Sequence, residues 1–205
     1  MAKLVQQQGR FVGSPRVAVI HATRVKGFAS TEALCEMTGL DAATVLAETA
    51  RASAEGLMVH RDGRITGWML TPAGREAHPA EVAAETSRSA ARELIEATYE
   101  RFVALNHPFK VLCTEWQTTN QSSACVGKLV RLDSSVQRIL APISAAVARF
   151  SPYPRRFGTA RDRLQAGDRD YFTRPLSGSY HDVWMELHQD FMLTLGRERA
   201  AADGH

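Results

Sequence analysis

The 205-residue sequence contains little cysteine and no long hydrophobic run. Its three cysteines, Cys35, Cys113 and Cys125, are an odd number without CxxC spacing, which indicates reduced thiols rather than a disulfide framework. No uncharged apolar stretch approaches the ~18 residues of a membrane-spanning helix. The first ten residues, MAKLVQQQGR, contain no apolar run of signal-peptide length. We therefore expect a cytoplasmic protein that does not associate with a membrane.

The sequence also lacks the short motifs of several enzyme classes. It contains neither an HExxH motif nor a glycine-rich phosphate loop. His181 and His188 would share one helix face, but helix-borne metal ligands usually lie three or four residues apart, so hydrogen-bonded core positions or pocket lining are the alternatives for both. Nothing in the sequence around Cys113 or Cys125 indicates an activated nucleophile. We expect no enzymatic activity, no metal and no cofactor.

Neither sign of charge dominates. The chain has 25 Lys and Arg against 22 Asp and Glu, a formal net charge of +3, and 44% of its residues are hydrophobic. This composition is typical of a soluble globular protein and permits an anionic partner without requiring one. Evidence for nucleic-acid binding must therefore come from where the basic residues lie.

Three short helices are predicted near the start of the chain. Each is preceded by a residue whose side chain can accept a hydrogen bond from the first turn, and each is followed by a glycine that can end it. Pro15 suits a first helical position because it needs no hydrogen-bond acceptor there. The capping residues and the glycines are Ser14 and Gly27, Ser30 and Gly39, and Asp41 and Gly56.

A β-hairpin is predicted directly after the third helix, because the hydrophobic period changes there from 3.6 to 2. The segments LMVH and ITGWML are strand-like, and the sequence Arg61-Asp62-Gly63-Arg64 lies between them. Asp-Gly is typical of a two-residue hairpin turn. Trp68 shares a strand face with Leu70 and is predicted to be in the core. Thr71-Pro72 then begins another helix.

The run TEALCEMTGLDAATVLAETARASAEGLMVHRDGRITGWMLTPAGR, Thr31 to Arg75, resembles the winged-helix transcriptional regulators of MarR-like type. The resemblance covers about residues 14–78 and depends on TGL, GL-x-V, DGR and LTPAGR at matching spacing. It implies a DNA-binding domain, residues 1–78, whose third helix lies in the major groove and whose hairpin tip reaches phosphates or the minor groove. Where such regulators usually have two leucines in the third helix, this sequence has Thr49 and Ala52.

The candidate DNA contacts lie at the end of the first helix, on the third helix and at the hairpin tip. On the third helix, outward-facing alanines such as Ala42, Ala43 and Ala47 can meet thymine methyl groups, or they can simply reflect helix propensity. Each basic residue can alternatively be a solvated surface charge. The predicted contacts are Arg24, Lys26, Thr44, Arg51, Arg61 and Arg64.

Residues 79–205 are predicted to form an α-helical domain for dimerisation and effector binding. Residues 81–107 can form one long helix that Pro108 ends, and TTNQSSACVGK is the expected mobile loop. Residues 133–150 are predicted to be helical with a kink or break at Pro142. The fold class is therefore mainly α, with an N-terminal winged helix-turn-helix domain and an α-helical C-terminal domain.

The last predicted helix is rich in aromatic residues. Such a stripe is usually core or dimer packing, but aromatic walls with a few polar groups also hold small organic ligands. His181, Trp184 and His188 share one face of this helix, and Arg155 and Arg174 adjoin prolines where they can meet a carboxylate. The predicted ligand contacts are Trp116, Arg155, Arg174, Tyr180, His181, Trp184 and His188.

The expected function is that of a DNA-binding transcriptional regulator. It would bind double-stranded DNA as a homodimer and respond to a small molecule, for which the arginines indicate an organic acid. The alternative is a regulatory or adaptor protein that uses the winged helix for protein contacts without binding DNA. A continuous positive face across the third helix and hairpin would favour the regulator, whereas a neutral or acidic face would favour the adaptor.

Overall fold

The computed structural model describes residues 13–86, 90–119 and 122–197, which form ten α-helices and one two-stranded antiparallel sheet. The prediction of a mainly α-helical fold is confirmed. In chain order the elements are α1 (Pro15–Lys26), α2 (Thr31–Thr38), α3 (Ala42–Ala54), β1 (Met58–Arg61), β2 (Gly67–Leu70), α4 (Pro72–Thr86), α5 (Ala90–Val103), α6 (Asn106–Thr118), α7 (Ser123–Ala146), a 3-10 turn (Ala148–Phe150), α8 (Pro152–Gln165), α9 (Asp170–Thr173) and α10 (Tyr180–Leu195).

The first three helices begin where their capping residues predict. The side chains of Ser14, Ser30 and Asp41 each accept a hydrogen bond from a backbone N–H three residues further along, which satisfies a donor that the helix leaves free. Gly27 and Gly39 follow α1 and α2 with φ of 73° and 72°, a region that glycine adopts without strain. These predicted helix boundaries are confirmed.

The hairpin has a longer loop than the Asp-Gly pair predicts. Arg61 pairs with Gly67, so residues 62–66 form the connection and a two-residue turn is wrong. The turn between α1 and α2 helps to set this register, because the N–H groups of Ala29 and Trp68 each donate to the other's carbonyl at 3.0 and 2.8 Å. A Cβ at residue 67 would lie 2.7 Å from the Ala29 oxygen, so this close approach requires Gly67.

Pro108 and Pro142 both lie within helices. Pro108 does not end a helix as predicted, because the chain turns after α5 at Ala104 and Leu105 and Pro108 lies inside the first turn of α6, where its missing N–H has no helical acceptor. The predicted break at Pro142 is wrong, because α7 continues through this residue to Ala146, and the alternative, a kink at Pro142, stays a prediction. Whether the helix predicted over residues 81–107 continues through residues 87–89 lies outside the described residues. The loop predicted over residues 118–128 is wrong in its second half, because α7 begins at Ser123, and residues 120–121 lie outside the described residues.

A single hydrophobic core runs from Val19 in α1 to Leu195 in α10. α1 packs against α2, α3, α4 and α10, and α10 also packs against α5, α8 and α9. The domain boundary predicted between residues 78 and 79 falls inside α4. The first three helices therefore contact the remainder of the chain through α1, which packs against α4 and α10, and through α2, which packs against α8. In the described ranges, no helix is both long and apolar enough to cross a membrane.

Candidate nucleic-acid interface

α3 is held in place by a buried face of small side chains. Val45, Thr49 and Ala52 are all 0% exposed and face α1 and α2, against which α3 packs. The Thr49 hydroxyl donates to the Leu46 carbonyl at 3.1 Å, so its polar atom is satisfied within the helix. Thr49 and Ala52 thus fill core positions, and the opposite face of α3 is left to solvent.

The outer face of α3 is apolar. Its exposed side chains recur at spacings of one and four residues, which places them together on one side of the helix. Leu46 is 49% exposed and is the one large side chain of this face. The outer face of α3 consists of Ala42, Ala43, Leu46, Ala47 and Ala50.

The polar residues of α3 lie to one side of this face and bond to their own helix. The Thr44 hydroxyl donates to Asp41 Oδ2 at 2.8 Å, and Arg51 Nη1 donates to Glu48 Oε1 at 2.9 Å. The backbone N–H and then the hydroxyl of Thr44 lower the pKa of Asp41. Thr44 and Arg51, two predicted DNA contacts, are therefore engaged within α3, which carries no continuous positive face.

The hairpin tip presents two arginines to solvent. Arg61 and Arg64 are both exposed, at the end of β1 and in the loop. At the base of the hairpin the Trp68 ring lies against His60 with centroids 4.6 Å apart, and Trp68 Nε1 donates to Thr31 Oγ1 at 3.3 Å. Trp68 is half-buried, so it supports the hairpin from the α2 side rather than filling the core as predicted.

Lys26 points toward the C-terminal helices. Lys26 Nζ donates to Glu186 Oε1 in α10 at 2.5 Å. Arg156 of α8 also pairs with Glu186 and reaches Glu36 of α2 at 3.3 Å, so this ion-pair cluster joins α1 and α2 to α8 and α10. Lys26 therefore takes no part in the interface that we propose. Arg24, one turn earlier than Gly27, is half-buried.

A second buried polar cluster, the Asp190 network, lies where α1 and α4 meet α10. His21 Nε2 lies 2.9 Å from Asp190 Oδ1, and His21 Nδ1 lies 2.9 Å from His78 Nε2. The Tyr153 and Thr194 hydroxyls donate to the same carboxylate at 2.9 and 3.1 Å. An ionised Asp190 only accepts, so His21 donates to it from Nε2 and His78 donates to His21 Nδ1, with both rings neutral. The Asp190 network consists of His21, His78, Arg149, Tyr153, Asp190 and Thr194.

The electrostatics of the Asp190 network keep the histidines neutral and the aspartate charged. Burial and then the charge of Arg149 lower the pKa of His21; burial and then the proximity of His21 lower that of His78 to about 3. Burial alone would raise the pKa of Asp190, but the proximity of His21, the charge of Arg149 and the hydrogen bonds from His21 and Tyr153 outweigh it and lower the pKa to about 2.

Arg149 is the least satisfied member of this network. Its side chain is 8% exposed, and Nη1 lies 3.6 Å from Asp190 Oδ1, within ion-pair range but beyond a hydrogen bond. No hydrogen-bond acceptor among the described residues reaches any of its three nitrogens. Sequence analysis missed the whole network, because its members are far apart in the chain.

Four of the predicted ligand contacts lie in the aromatic core. Trp116 packs edge-on against Phe172, and the Trp184 ring stacks on Phe109 with centroids 4.1 Å apart. Each of the four side chains is at most 4% exposed. These positions favour core packing, the other interpretation of the aromatic stripe. The buried residues are Trp116, Tyr180, Trp184 and His188.

Of the other three predicted ligand contacts, His181 adjoins the aromatic group and the two arginines lie apart from it. Arg155 is exposed on α8, and Arg174 pairs with Asp170 at 2.5 Å on the surface. His181 is half-buried beside Phe109, and burial lowers its pKa.

A surface groove of about 500 Å³ lies between α6 and α7. Its walls are largely apolar, and Val111 is 52% exposed within it. Lys128 and Glu115 form an ion pair at one side. The lining residues are His107, Pro108, Val111, Leu112, Glu115, Lys128, Arg131 and Leu132.

No family model matches the chain, and no curated protein and no solved structure matches it either. Within the described part of the chain, no cluster of three or more His, Cys, Asp or Glu residues is arranged to hold a metal ion.

Proposed function

We propose that this chain is a transcriptional regulator that binds double-stranded DNA as a homodimer. The observation that carries the proposal is the unit α1–α2–α3 followed by a hairpin with Arg61 and Arg64 exposed at its tip. α2 and α3 form a helix-turn-helix on α1, and the bridge from Ala29 to Trp68 ties the hairpin to this unit. This arrangement supports a winged helix of the MarR-like type in residues 14–78.

In this proposal α3 enters the major groove and the hairpin arginines meet phosphates. α3 has 13 residues, and an α-helix about 10–12 Å across fits a major groove about 12 Å wide. The basic residues left for DNA are Arg24, Arg61 and Arg64, since Lys26 and Arg51 are paired elsewhere. In a dimer these give about six phosphate contacts and a log–log salt slope of about −5.

Small-molecule control belongs to the same proposal, and the groove between α6 and α7 supports it. The groove combines an apolar wall with Arg131, which suits an organic acid, whereas Lys128 is paired with Glu115. A ligand that prefers one spacing of the two α3 helices in the dimer would change DNA affinity.

Fluorescence anisotropy with duplexes from the DNA flanking the coding region tests the DNA-binding proposal. We expect binding that weakens with salt at the slope given above, and a dimer in sedimentation velocity at micromolar concentration. Absence of binding to any duplex at about 50 mM salt would refute the regulator.

Two observations favour a second candidate, the adaptor protein. Thr44 and Arg51 are paired within α3, so this helix carries no continuous positive face. The outer face of α3 is apolar, with Leu46 49% exposed, and a protein partner can cover such a surface. A chain that binds no DNA but loses a protein partner when Leu46 is replaced by Asn would be an adaptor.

A further inference from the structure

The outer face of α3 offers apolar surface where a base-reading helix often offers hydrogen-bonding groups. Its alanines are exposed, and Leu46 projects from the middle of the face. Alanine side chains keep the helix thin on this side, so its backbone can approach a flat surface closely. An apolar face can contribute to recognition only where its partner is also apolar.

In the major groove, one base presents an apolar group. Thymine carries a C5-methyl beside its O4 acceptor, whereas guanine, adenine and cytosine carry no methyl group at the groove edge. Apolar contact with this methyl is an established means of recognising thymine. The outer face of α3 therefore complements a run of thymines better than it complements guanine.

Arg51 is unsuited to reading guanine. Glu48, its partner, is only 12% exposed and has its charge balanced by Arg51 at 2.9 Å. If Arg51 turned to a guanine, Glu48 would remain as a poorly solvated carboxylate close to the DNA phosphates. Thr44 is likewise committed to Asp41. The polar side chains of α3 thus bond to one another. Contacts with the bases would then come from the apolar outer face of the helix.

We propose that α3 recognises thymine-rich operator DNA through the thymine C5-methyl groups, with the outer face of α3 as the reading surface. This inference depends on the proposed DNA-binding function and adds the base chemistry to it. Leu46 makes the largest contact, and the flanking alanines exclude water from neighbouring methyls.

Replacement of thymine by uracil in the DNA tests the proposal, because uracil keeps the base pairing and O4 and lacks only the methyl. The tightest-binding duplex from a random library is measured by anisotropy with thymine or uracil at each position. We expect about a fourfold loss for each contacted methyl. Replacement of guanine by 7-deazaguanine, which removes the N7 acceptor, should change affinity by less than about twofold. Equal binding of thymine and uracil duplexes overturns the proposal while leaving DNA binding intact.

A matched pair of protein variants locates the contact. Leu46→Asn keeps the side-chain size and removes its apolar end, so it should bring the thymine-to-uracil affinity ratio close to one. Ile65→Asn is the control, because Ile65 is also an exposed apolar residue, at 68%, but lies in the hairpin loop. It should leave the ratio unchanged, and thermal melting followed by circular dichroism checks that both variants fold. An unchanged ratio in Leu46→Asn overturns the assignment to α3, and failure of the native chain to bind any duplex refutes the proposed function together with this inference.

Discussion

The outer face of α3 and the Asp190 network reverse the usual distribution of polar and apolar side chains. The exposed helix face carries alanines and Leu46, whereas four ionisable side chains lie at most 8% exposed where α1 and α4 meet α10. Buried charges cost free energy unless they are paired, and in return they permit only a few relative positions of the elements that carry them. In this protein buried charges hold the first three helices against the remainder of the chain, and in the proposed DNA complex recognition would rest on shape and apolar contact.

The largest expected effect on stability comes from disrupting the Asp190 network. Asp190→Ala removes the acceptor for His21, Tyr153 and Thr194 and leaves Arg149 as an uncompensated buried charge. We expect the free energy of unfolding, measured in urea, to fall by about 3–5 kcal/mol.

Asp170→Ala provides the control for this substitution. Asp170 also pairs with an arginine, Arg174, but both side chains are more than half exposed. Its loss should cost less than about 1 kcal/mol. Similar losses for the two variants would mean that the Asp190 network adds nothing beyond a surface ion pair.

The next prediction concerns how the histidines of the Asp190 network make stability depend on pH. Burial holds the pKa of His78 at about 3 in the folded chain, below its ordinary value of 6.5, so the folded state prefers the neutral ring. This contribution is fully present above about pH 6.5 and is lost as pH falls from there toward 3, by up to about 1.4 kcal/mol per pH unit.

His78→Gln should lower by one the number of protons taken up on unfolding, and so flatten the dependence of the unfolding free energy on pH. The measurement is the unfolding free energy at intervals between pH 7 and pH 4. His21 contributes with the same sign, while burial raises the pKa of Glu85 and gives the opposite sign, so the difference between variant and native chain is the informative quantity. His107→Gln, at an exposed position, should leave the slope unchanged. An unchanged slope in His78→Gln would contradict a neutral buried pair.

The parts of the fold that could be predicted from the sequence are those governed by local chemistry. Ser14, Ser30 and Asp41 cap their helices because the interaction involves only the next three residues. The hairpin could be predicted but its register could not, since Ala29, more than thirty residues away, pairs with Trp68 and requires glycine at position 67. Pro108 looked like a helix terminator because a first turn and an interior position of a helix are indistinguishable without the neighbouring elements.

The candidate sites were harder to predict, because side-chain partners came from distant elements. Lys26 looks like a basic residue at a helix end, and only the fold brings Glu186 of α10 to it. Trp184 looks like a ligand contact on a helix face, and only the fold places Phe109 and Asn106 against its ring. The alanines of α3 were predicted to face outward and they do, because helical periodicity alone decides which side they occupy.

On the exposed side of the comparison, the hairpin arginines should affect DNA affinity without affecting sequence preference. Arg64→Ala and Arg61→Ala each remove one phosphate contact per subunit in the proposed complex. We expect each to weaken specific and random duplexes by a similar factor, about 3- to 10-fold, and to reduce the salt slope by about 2 for the dimer. A variant that loses affinity only for the preferred duplex would show that the hairpin reads bases, and the division between hairpin and α3 would then be wrong.

The smallest expected effect is that of Arg51→Ala. Arg51 is 61% exposed and its charge is already matched by Glu48 within α3, so its removal should change the unfolding free energy by less than about 0.5 kcal/mol. DNA affinity should change by less than about threefold, because the variant loses a neutralised pair rather than a free cation. Glu48→Gln provides the complementary change, since it releases Arg51 and should tighten binding to all duplexes alike. In the Glu48→Gln background, Arg51→Ala should then cost more than it does in the native chain, and this double-mutant cycle, measured by anisotropy, isolates the pair. If Arg51→Ala alone weakens the preferred duplex more than tenfold, Arg51 leaves Glu48 on binding DNA, and α3 reads a base by hydrogen bonding.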